Sequence, residues 1–340
     1  MRRPPRHAEV EAAFSLFAAG EAHPVEYDGG APRCRCARCH AWELFLYGGP
    51  PPRPSPRPVY EVITAELVDG LASWLRREQR RSEPAALRVV EVGAGDGALT
   101  LHLRAALAGS EVSLVATDSG VRAIEAAHGA EVLRLEYQQA LGALAPSVVL
   151  CCWMPLGEDW TASFRACRSV QAYVLIGEAD DGCCGRPWAT WGYVADGDDD
   201  VDALSVSSTS SSGDDSQDPE EPQTECGSSA GVRRGEDAPC APALRDREGK
   251  GTDEDAWRRV YQYAPWRTPW GADGWERFEL THISARQVCR TDAPWCSTRH
   301  SKTVVFRRKT PRGIHAPSDL KDQLGQTADL ASISCTSSNV

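Results

Sequence analysis

The sequence predicts an α/β fold: a doubly wound, mostly parallel sheet with helices on both faces. Three observations lead to this prediction. A glycine-rich turn at 93–97 follows an apolar run, strand-like and helix-like segments alternate after it, and the runs at 147–153 and 172–178 are almost entirely apolar. Alternating strands and amphipathic helices are typical of parallel sheets covered on both faces. Strands that are apolar throughout are typical of the buried centre of such a sheet.

Seven runs are predicted as strands because each is short, rich in β-branched and aromatic residues, and bounded by turn residues. They span 89–92, 111–117, 131–137, 147–153, 172–178, 276–284 and 303–308. Helical spacing of apolar residues predicts helices at 60–75, 98–107 and 119–127. A turn-rich segment separates the last two strands, which predicts a closing hairpin.

The segment VVEVGAGDGALT at 89–100 carries the most specific pattern in the chain. Glu91 ends the apolar run, and Gly93, Gly95 and Gly97 follow at alternate positions. Glycines suit a turn that needs positive φ and that lets the backbone approach a bound ligand. The spacing differs from the Gly-x-Gly-x-x-Gly pattern of dinucleotide-binding turns. It resembles the first motif of the class I S-adenosylmethionine-dependent methyltransferases.

A second acidic residue stands where such a fold places a ribose contact. Asp118 follows the run 111–117, and a carboxylate at the end of the second strand, about twenty residues beyond the glycines, can bind ribose hydroxyls. The alternative is that Asp118 only caps a helix at 119–127.

The resemblance covers roughly residues 85–195 and 257–310 and implies S-adenosylmethionine as the cofactor. It implies a seven-stranded, mostly parallel sheet with a late antiparallel hairpin, preceded by a helical N-terminal extension. By the same resemblance, Glu91 orders the turn, the glycines pass against the methionine end of the cofactor, and Asp118 holds the ribose. Further cofactor contacts are assigned to residues at or just beyond the ends of the second, third and fourth strands: Ser119, Glu136, Tyr137 and Trp153.

Three carboxylates are candidate catalytic residues because they follow the fourth and fifth strands, and open parallel sheets bind ligands beyond these strand ends. Asp159, Glu178 and Asp180 could deprotonate an acceptor or pair with a cationic amine. The structural alternative is that Asp159 caps a helix and Glu178 is a strand-end acid. The segment 291–296 either folds over this ligand-binding end of the sheet or forms only a hairpin turn.

Tryptophans are concentrated in the second half of the chain, which holds most of the 11 in the sequence. They either line an aromatic acceptor site by stacking and cation–π attraction or belong to the core. The expected function is methyl transfer to an unidentified acceptor, with a small molecule or a protein side chain favoured. A nucleic-acid acceptor is not favoured, because the folded part has no dense basic stripe. The alternatives are a non-catalytic cofactor-binding scaffold and an NAD-dependent oxidoreductase, which the glycine spacing argues against.

The formal charge of −11 is concentrated in one segment. Residues 196–256 hold 18 of the 48 acidic and 5 of the 37 basic residues, so this segment carries −13 and the remainder +2. Such a polar, charged composition predicts a disordered insertion that could bind a protein partner. The expected organisation is an N-terminal extension with a Cys-rich loop and a Pro-rich linker at 1–58, a methyltransferase domain at 59–195 and 257–310, and a disordered tail at 311–340.

No run is long and apolar enough to cross a bilayer, and the N-terminus lacks the apolar core of a secretory signal. A reducing cytoplasmic or nuclear setting is therefore expected, and the 13 cysteines are not read as a disulfide framework.

A cluster of thiols near the N-terminus could hold zinc, because it offers four sulfur or imidazole donors within seven residues: Cys34, Cys36, Cys39 and His40. Structural zinc sites usually draw a second ligand pair from a distant element, and no matching pair is evident nearby. The prediction is therefore a thiol-rich loop without a metal.

Overall fold

The centre of the molecule is a single seven-stranded sheet. A computed structural model describes residues 3–18, 20, 22–26, 33–48, 58–81, 86–194, 267–296 and 299–309. The predicted acidic insertion at 196–256 and the predicted tail at 311–340 lie outside the described residues.

The sheet has the topology that the sequence predicts. Its strands are β1 Leu87–Val92, β2 Val112–Asp118, β3 Val132–Arg134, β4 Val148–Cys152, β5 Ala172–Glu178, β6 Trp275–Glu279 and β7 Ser301–Arg308. Their order across the sheet is β3-β2-β1-β4-β5-β7-β6. The first five are parallel, and β7 runs antiparallel to both β5 and β6. The predicted fold class, with its late antiparallel pair, is confirmed.

Helices cover both faces of the sheet. They are α1 His7–Phe14, α2 Ala37–Tyr47, α3 Ala65–Arg81, α4 Ala98–Ala106, α5 Tyr137–Leu144, α6 Thr161–Ala166, α7 Pro269–Ala272 and α8 Thr281–Ser284, with a π-helical turn at Pro187–Trp191. Helix α3 buries Leu67, Leu71 and Leu75, whose spacing of four residues places them on one helical face. This face packs on the sheet with α4, while α5 and α6 cover the opposite face.

Helix α3 begins later than the sequence predicts, at Ala65 and not at residue 60. Tyr60 and Glu61 lie outside the helix, and Glu61 forms an isolated antiparallel bridge with Cys289. The apolar residues of 60–64 follow the helical spacing by chance, because their backbone pairs with a distant segment.

Two further predicted elements differ from the structure. Segment 119–127 is not helical, because Gly120 and Ala123 adopt φ values of +74° and +51°, outside the right-handed helical region. The strand predicted to span 276–284 ends at Glu279, and its last residues form α8.

The N-terminal extension is helical, as predicted, and it packs against the main domain. Residues of α1, of α2 and of the chain just after α1 form an apolar cluster with two residues from the main domain. This cluster is separate from the two that lie on the faces of the sheet; its members are Val10, Leu16, Trp42, Leu46, Val62 and Val288. The Trp42 indole donates a hydrogen bond of 2.9 Å to the carbonyl oxygen of Asp292. None of the described helices combines the length and the apolar character that a membrane-spanning helix needs.

Candidate functional site

The glycine turn connects β1 to α4 at the carboxyl edge of the parallel strands. Gly93, Gly95 and Gly97 all adopt positive φ, at 63°, 54° and 74°. A Cβ on Gly97 would stand 2.6 Å from Val132 Cγ2, and one on Gly93 would stand 3.0 Å from the Trp160 ring. Only glycine fits these two positions without displacing a neighbour.

Glu91 lies beneath this turn and connects its two sides. Its side chain is buried, and Oε2 accepts hydrogen bonds from the backbone N–H of Thr100 at 3.1 Å and from the Thr100 hydroxyl at 2.5 Å. Burial raises the pKa of Glu91 to about 7, although the hydrogen bonds from Thr100 act in the opposite direction. The carboxyl group therefore anchors the first turn of α4 to the end of β1.

Asp118 joins the end of β2 to the glycine turn. Its Oδ2 accepts a hydrogen bond of 3.0 Å from the Gly95 N–H, and its Oδ1 accepts one of 2.7 Å from the Gly120 N–H. Each carboxylate oxygen retains acceptor capacity for a further donor. The alternative of a helix cap fails, because the structure has no helix at 119–127. The neighbouring Ser119 accepts a bond from the Val121 N–H through its hydroxyl oxygen.

An aromatic wall flanks the glycine turn on the side of β4. The Tyr137 ring, at the start of α5, stacks on the Trp160 ring with centroids 5.0 Å apart and planes 16° apart. Glu136 caps the same helix together with Gln139, so its side chain is committed to the backbone of α5. The wall and the turn meet where the Trp160 ring approaches Gly93.

Trp153 turns sharply at the end of β4 and spans the gap to the segment before α3. Its φ is +61°, a strained value for a non-glycine residue. Its indole N–H donates a hydrogen bond of 3.0 Å to Glu61 Oε2, and its ring lies 5.7 Å from that of Tyr60. Trp153 lies at the carboxyl edge of the sheet, so its backbone strain falls where functional sites of this architecture lie.

Glu61 is a buried acid that the sequence did not single out. It accepts hydrogen bonds from Gln287 at 3.0 Å, from Ser301 at 2.7 Å and from Trp153. Burial raises its pKa to about 7, against the effect of these three donors. The partners lie as many as 240 residues away in the chain, so no local pattern indicates the cluster.

The three predicted catalytic carboxylates lie at the same edge of the sheet, and protein groups contact each one. Asp159 accepts bonds from the N–H and hydroxyl of Thr161, at the start of α6, and from the Thr190 hydroxyl. Its contacts correspond to the capping role that the sequence left open.

Glu178 and Asp180 are contacted by groups from other elements. Glu178, at the end of β5, accepts a bond from the Cys183 N–H at 2.8 Å and another from the Thr291 hydroxyl. Asp180 forms ion pairs with Arg277 at 2.8 Å and with Lys302 at 2.9 Å. The contact with Thr291 shows that the segment before β7 folds over the end of β5.

A histidine–aspartate pair lies in this covering segment. His300 Nδ1 stands 2.9 Å from Asp292 Oδ1, and the second oxygen of the buried Asp292 accepts a bond from the Cys289 N–H. The hydrogen bond to Asp292 raises the pKa of His300, and the negative charge of Glu178 acts in the same direction. No local pattern in the sequence indicates this pair, because both residues lie in the turn-rich segment between the last two strands.

The described tryptophans from residue 153 onward are divided between the core and the partly exposed surface. Trp191, Trp270 and Trp275 are buried, and the partly exposed ones are Trp153, Trp160, Trp188 and Trp295. Three of these seven indoles therefore belong to the core. Cys184 is a buried free thiol.

No protein-family model and no curated protein sequence matches the chain. Among solved structures, a sugar N-methyltransferase, KedS8 from Streptoalloteichus sp ATCC 53650, aligns with a TM-score of 0.26 and 19% identity over 34% of this chain and 50% of that chain. The CurJ carbon methyltransferase aligns with a TM-score of 0.34 and 10% identity over 72% and 54%. An S-adenosylmethionine-dependent methyltransferase from Agrobacterium tumefaciens aligns with a TM-score of 0.25 and 10% identity over 46% and 60%.

The matched regions span about half to three fifths of those chains. The fold of this chain is class I methyltransferase-like, with the strand order and the late antiparallel pair described above. The mostly parallel seven-stranded sheet with its late antiparallel pair is the fold that the resemblance in the sequence implies.

Proposed function

We propose that the chain binds S-adenosylmethionine at the glycine turn and transfers the methyl group to an acceptor, which is a small molecule or a protein side chain. One observation carries this proposal. The carboxylate of Asp118 is hydrogen-bonded to Gly95, so the acid that we propose for the ribose and a turn of three positive-φ glycines are joined at one edge of the sheet. This is the edge at which open parallel sheets bind ligands.

Bound S-adenosylmethionine would supply an electrophilic methyl group on a positively charged sulfur. The chain would contribute alignment of the acceptor and exclusion of water, which are the main requirements of a direct displacement. The partly exposed ring of Trp160 approaches the turn at Gly93, and that of Trp153 lies at the end of β4; both rings suit a cationic centre. Glu61 holds the Trp153 indole in place through its hydrogen bond.

A proton acceptor is needed only where the acceptor atom carries a proton that it must lose. Asp180 is poorly suited to this role because two cations neutralise it. His300 is the better candidate. Its Nδ1 is held by the hydrogen bond with Asp292, so Nε2 is the ring nitrogen that would accept a proton. We therefore extend the set of candidate catalytic residues from Asp159, Glu178 and Asp180 to His300.

Calorimetric titration tests the cofactor assignment. The full chain is titrated with S-adenosylmethionine and separately with NAD, and so are Asp118→Ala and a control, Glu131→Ala. Glu131 lies between β2 and β3 with a side chain 85% exposed. We expect the wild type and the control to bind the methyl donor, and Asp118→Ala to lose at least about tenfold in affinity, the loss expected for hydrogen bonds to a charged group.

Melting temperatures separate a lost ligand contact from a collapsed turn. Asp118→Ala should still unfold cooperatively, so its loss of affinity would report on the carboxylate. Binding of NAD alone, or equal affinity in both variants, would contradict the proposal. Binding of the methyl donor without turnover on any small-molecule or peptide acceptor would favour the cofactor-binding scaffold.

A further inference from the structure

Four metal-binding side chains meet in the N-terminal extension, away from the glycine turn. They are His23, Cys34, Cys36 and Cys39, and their ligand atoms all lie within 4.8 Å of one another. The sequence had suggested His40 as the fourth donor, but the His40 side chain is exposed and is not part of this cluster. We propose that these four side chains bind one zinc ion in a closed, structural site.

The spacing of the donors suits tetrahedral zinc. With Zn–S near 2.3 Å and Zn–N near 2.0 Å, neighbouring ligand atoms of a tetrahedral site stand roughly 3.3 to 3.8 Å apart. His23 Nδ1 lies 3.5 Å from Cys36 Sγ and 3.2 Å from Cys39 Sγ. Only small shifts would bring the donors to coordination distance.

The histidine is held in the orientation that a metal ligand needs. His23 Nε2 lies 2.9 Å from the carbonyl oxygen of Ser15, so Nε2 carries the proton and donates it to this acceptor. Nδ1 then presents its lone pair to the sulfur atoms. A backbone carbonyl that fixes the second ring nitrogen is a regular feature of zinc-bound histidine.

Local backbone structure brings the three thiols to the same point. Glu26 and Arg33 pair as an antiparallel bridge, which returns the chain towards His23 just before Cys34. Cys36 is the N-cap of α2, and its sulfur accepts a hydrogen bond of 3.5 Å from the Cys39 N–H. The three-residue spacing places both sulfurs on one side of the first helical turn.

Burial indicates that the cluster is more than a set of surface thiols. His23 is 1% exposed, Cys39 2% and Cys34 7%. Zinc would replace the thiol protons, which pass to solvent as the three thiolates coordinate the metal. Four protein ligands leave no open position, so the site would be structural and not catalytic.

The ion would hold the chain between α1 and α2. This stretch and α2 both contact the segment before β7, which covers the candidate functional site. The Ala18 N–H donates to the carbonyl oxygen of Pro294 at 3.0 Å, and Trp42 donates to that of Asp292. The zinc site would therefore stabilise the same segment that carries His300. The assignment does not depend on the proposed methyl transfer.

The test is elemental analysis of the full chain, purified under reducing conditions without a metal-affinity step. We expect one zinc per chain, and a tetrahedral visible spectrum with sulfur-to-cobalt charge-transfer bands when cobalt replaces zinc. His23→Gln and Cys39→Ser should lose the metal. The matched controls His40→Gln and Cys167→Ser should retain it.

Alkylation of the wild-type chain provides a readout that does not depend on the folding of a variant. Cys34, Cys36 and Cys39 should resist alkylation until a chelator is added, and Cys167 should show no such dependence. Zinc absent from the purified chain and no tetrahedral cobalt spectrum would overturn the proposal. So would a disulfide among the three cysteines, or loss of metal in His40→Gln with retention in His23→Gln.

Discussion

At the scale of single residues, the candidate site combines glycines in the left-handed region with acids buried behind them. Glu91 lies near the end of β1 and Glu61 in the segment before α3, and burial raises the pKa of each to about 7. Their contacts differ, because Glu91 binds a residue nine positions away whereas Glu61 binds groups from distant segments. The first contact orders the turn, and the second joins the start of the main domain to β7.

The raised pKa of Glu91 predicts a pH-dependent loss of stability. Because the folded pKa lies above the ordinary 4.5, the stabilising contribution is full below pH 4.5 and is lost as pH rises through about 7. Glu91→Gln keeps an oxygen for Thr100 but carries no charge. The unfolding free energy of this variant, relative to wild type, should therefore increase by up to about 3 kcal/mol between pH 4.5 and about 8.

Urea unfolding at several pH values measures this difference. Glu131→Gln serves as the control for loss of a carboxylate, because its side chain is 85% exposed. A difference between Glu91→Gln and wild type that stays constant across the range would show that Glu91 does not titrate as its burial implies.

The left-handed backbone at Gly97 predicts a destabilising alanine substitution. Gly97→Ala combines a φ of +74° with a Cβ that would stand 2.6 Å from Val132 Cγ2. We expect a loss of about 1–3 kcal/mol in unfolding free energy and weaker binding of S-adenosylmethionine.

Gly142 offers a matched control for this substitution. It lies in α5, a Cβ would meet no atom within 4 Å, and helix propensity favours alanine. Gly142→Ala should stabilise the chain by up to about 1 kcal/mol. Equal effects of the two substitutions in thermal unfolding would contradict the strained geometry of the turn.

At the scale of elements, the N-terminal extension is part of the main domain's packing. Helix α2 buries Trp42 and Leu46 against residues such as Val62 and Val288. The Trp42 indole also binds the backbone of the segment that precedes β7. Removing this anchor should release the extension and loosen the cover of the candidate site together.

Trp42→Ala is expected to destabilise the chain by about 3–5 kcal/mol, because it removes a large side chain that is 3% exposed and a buried hydrogen bond. Leu44→Ala on the same helix, at a side chain 40% exposed, should cost less than about 1 kcal/mol. Chemical unfolding compares the two variants. Similar losses would mean that α2 does not pack on the main domain as described.

At the scale of the whole molecule, the sequence predicted the sheet and the turn better than the contacts around them. The glycines, Glu91 and Asp118 lie within 28 residues, and their spacing reflects local backbone geometry. The strands β4 and β5 were evident because each must be apolar on both faces. These features depend on near neighbours, which the sequence displays directly.

The remainder of the site depends on contacts between distant segments. Glu61 was hidden in a predicted helix, although it pairs with Cys289 across the domain. His23 was overlooked because sequence distance favoured His40, which is exposed and is not part of the cluster. Tertiary packing therefore decided which polar residues share a site, and no local periodicity indicates that choice.

The most direct test of the central claim is an experimental structure of the chain with S-adenosylhomocysteine, the product of methyl transfer from the proposed donor. We expect ribose hydroxyls within hydrogen-bond distance of the Asp118 carboxylate and the amino-acid end of the ligand beside Gly93–Gly97. Ligand bound elsewhere, or a turn still covered by the rings of Trp160 and Tyr137 with no ligand at saturating concentration, would contradict it.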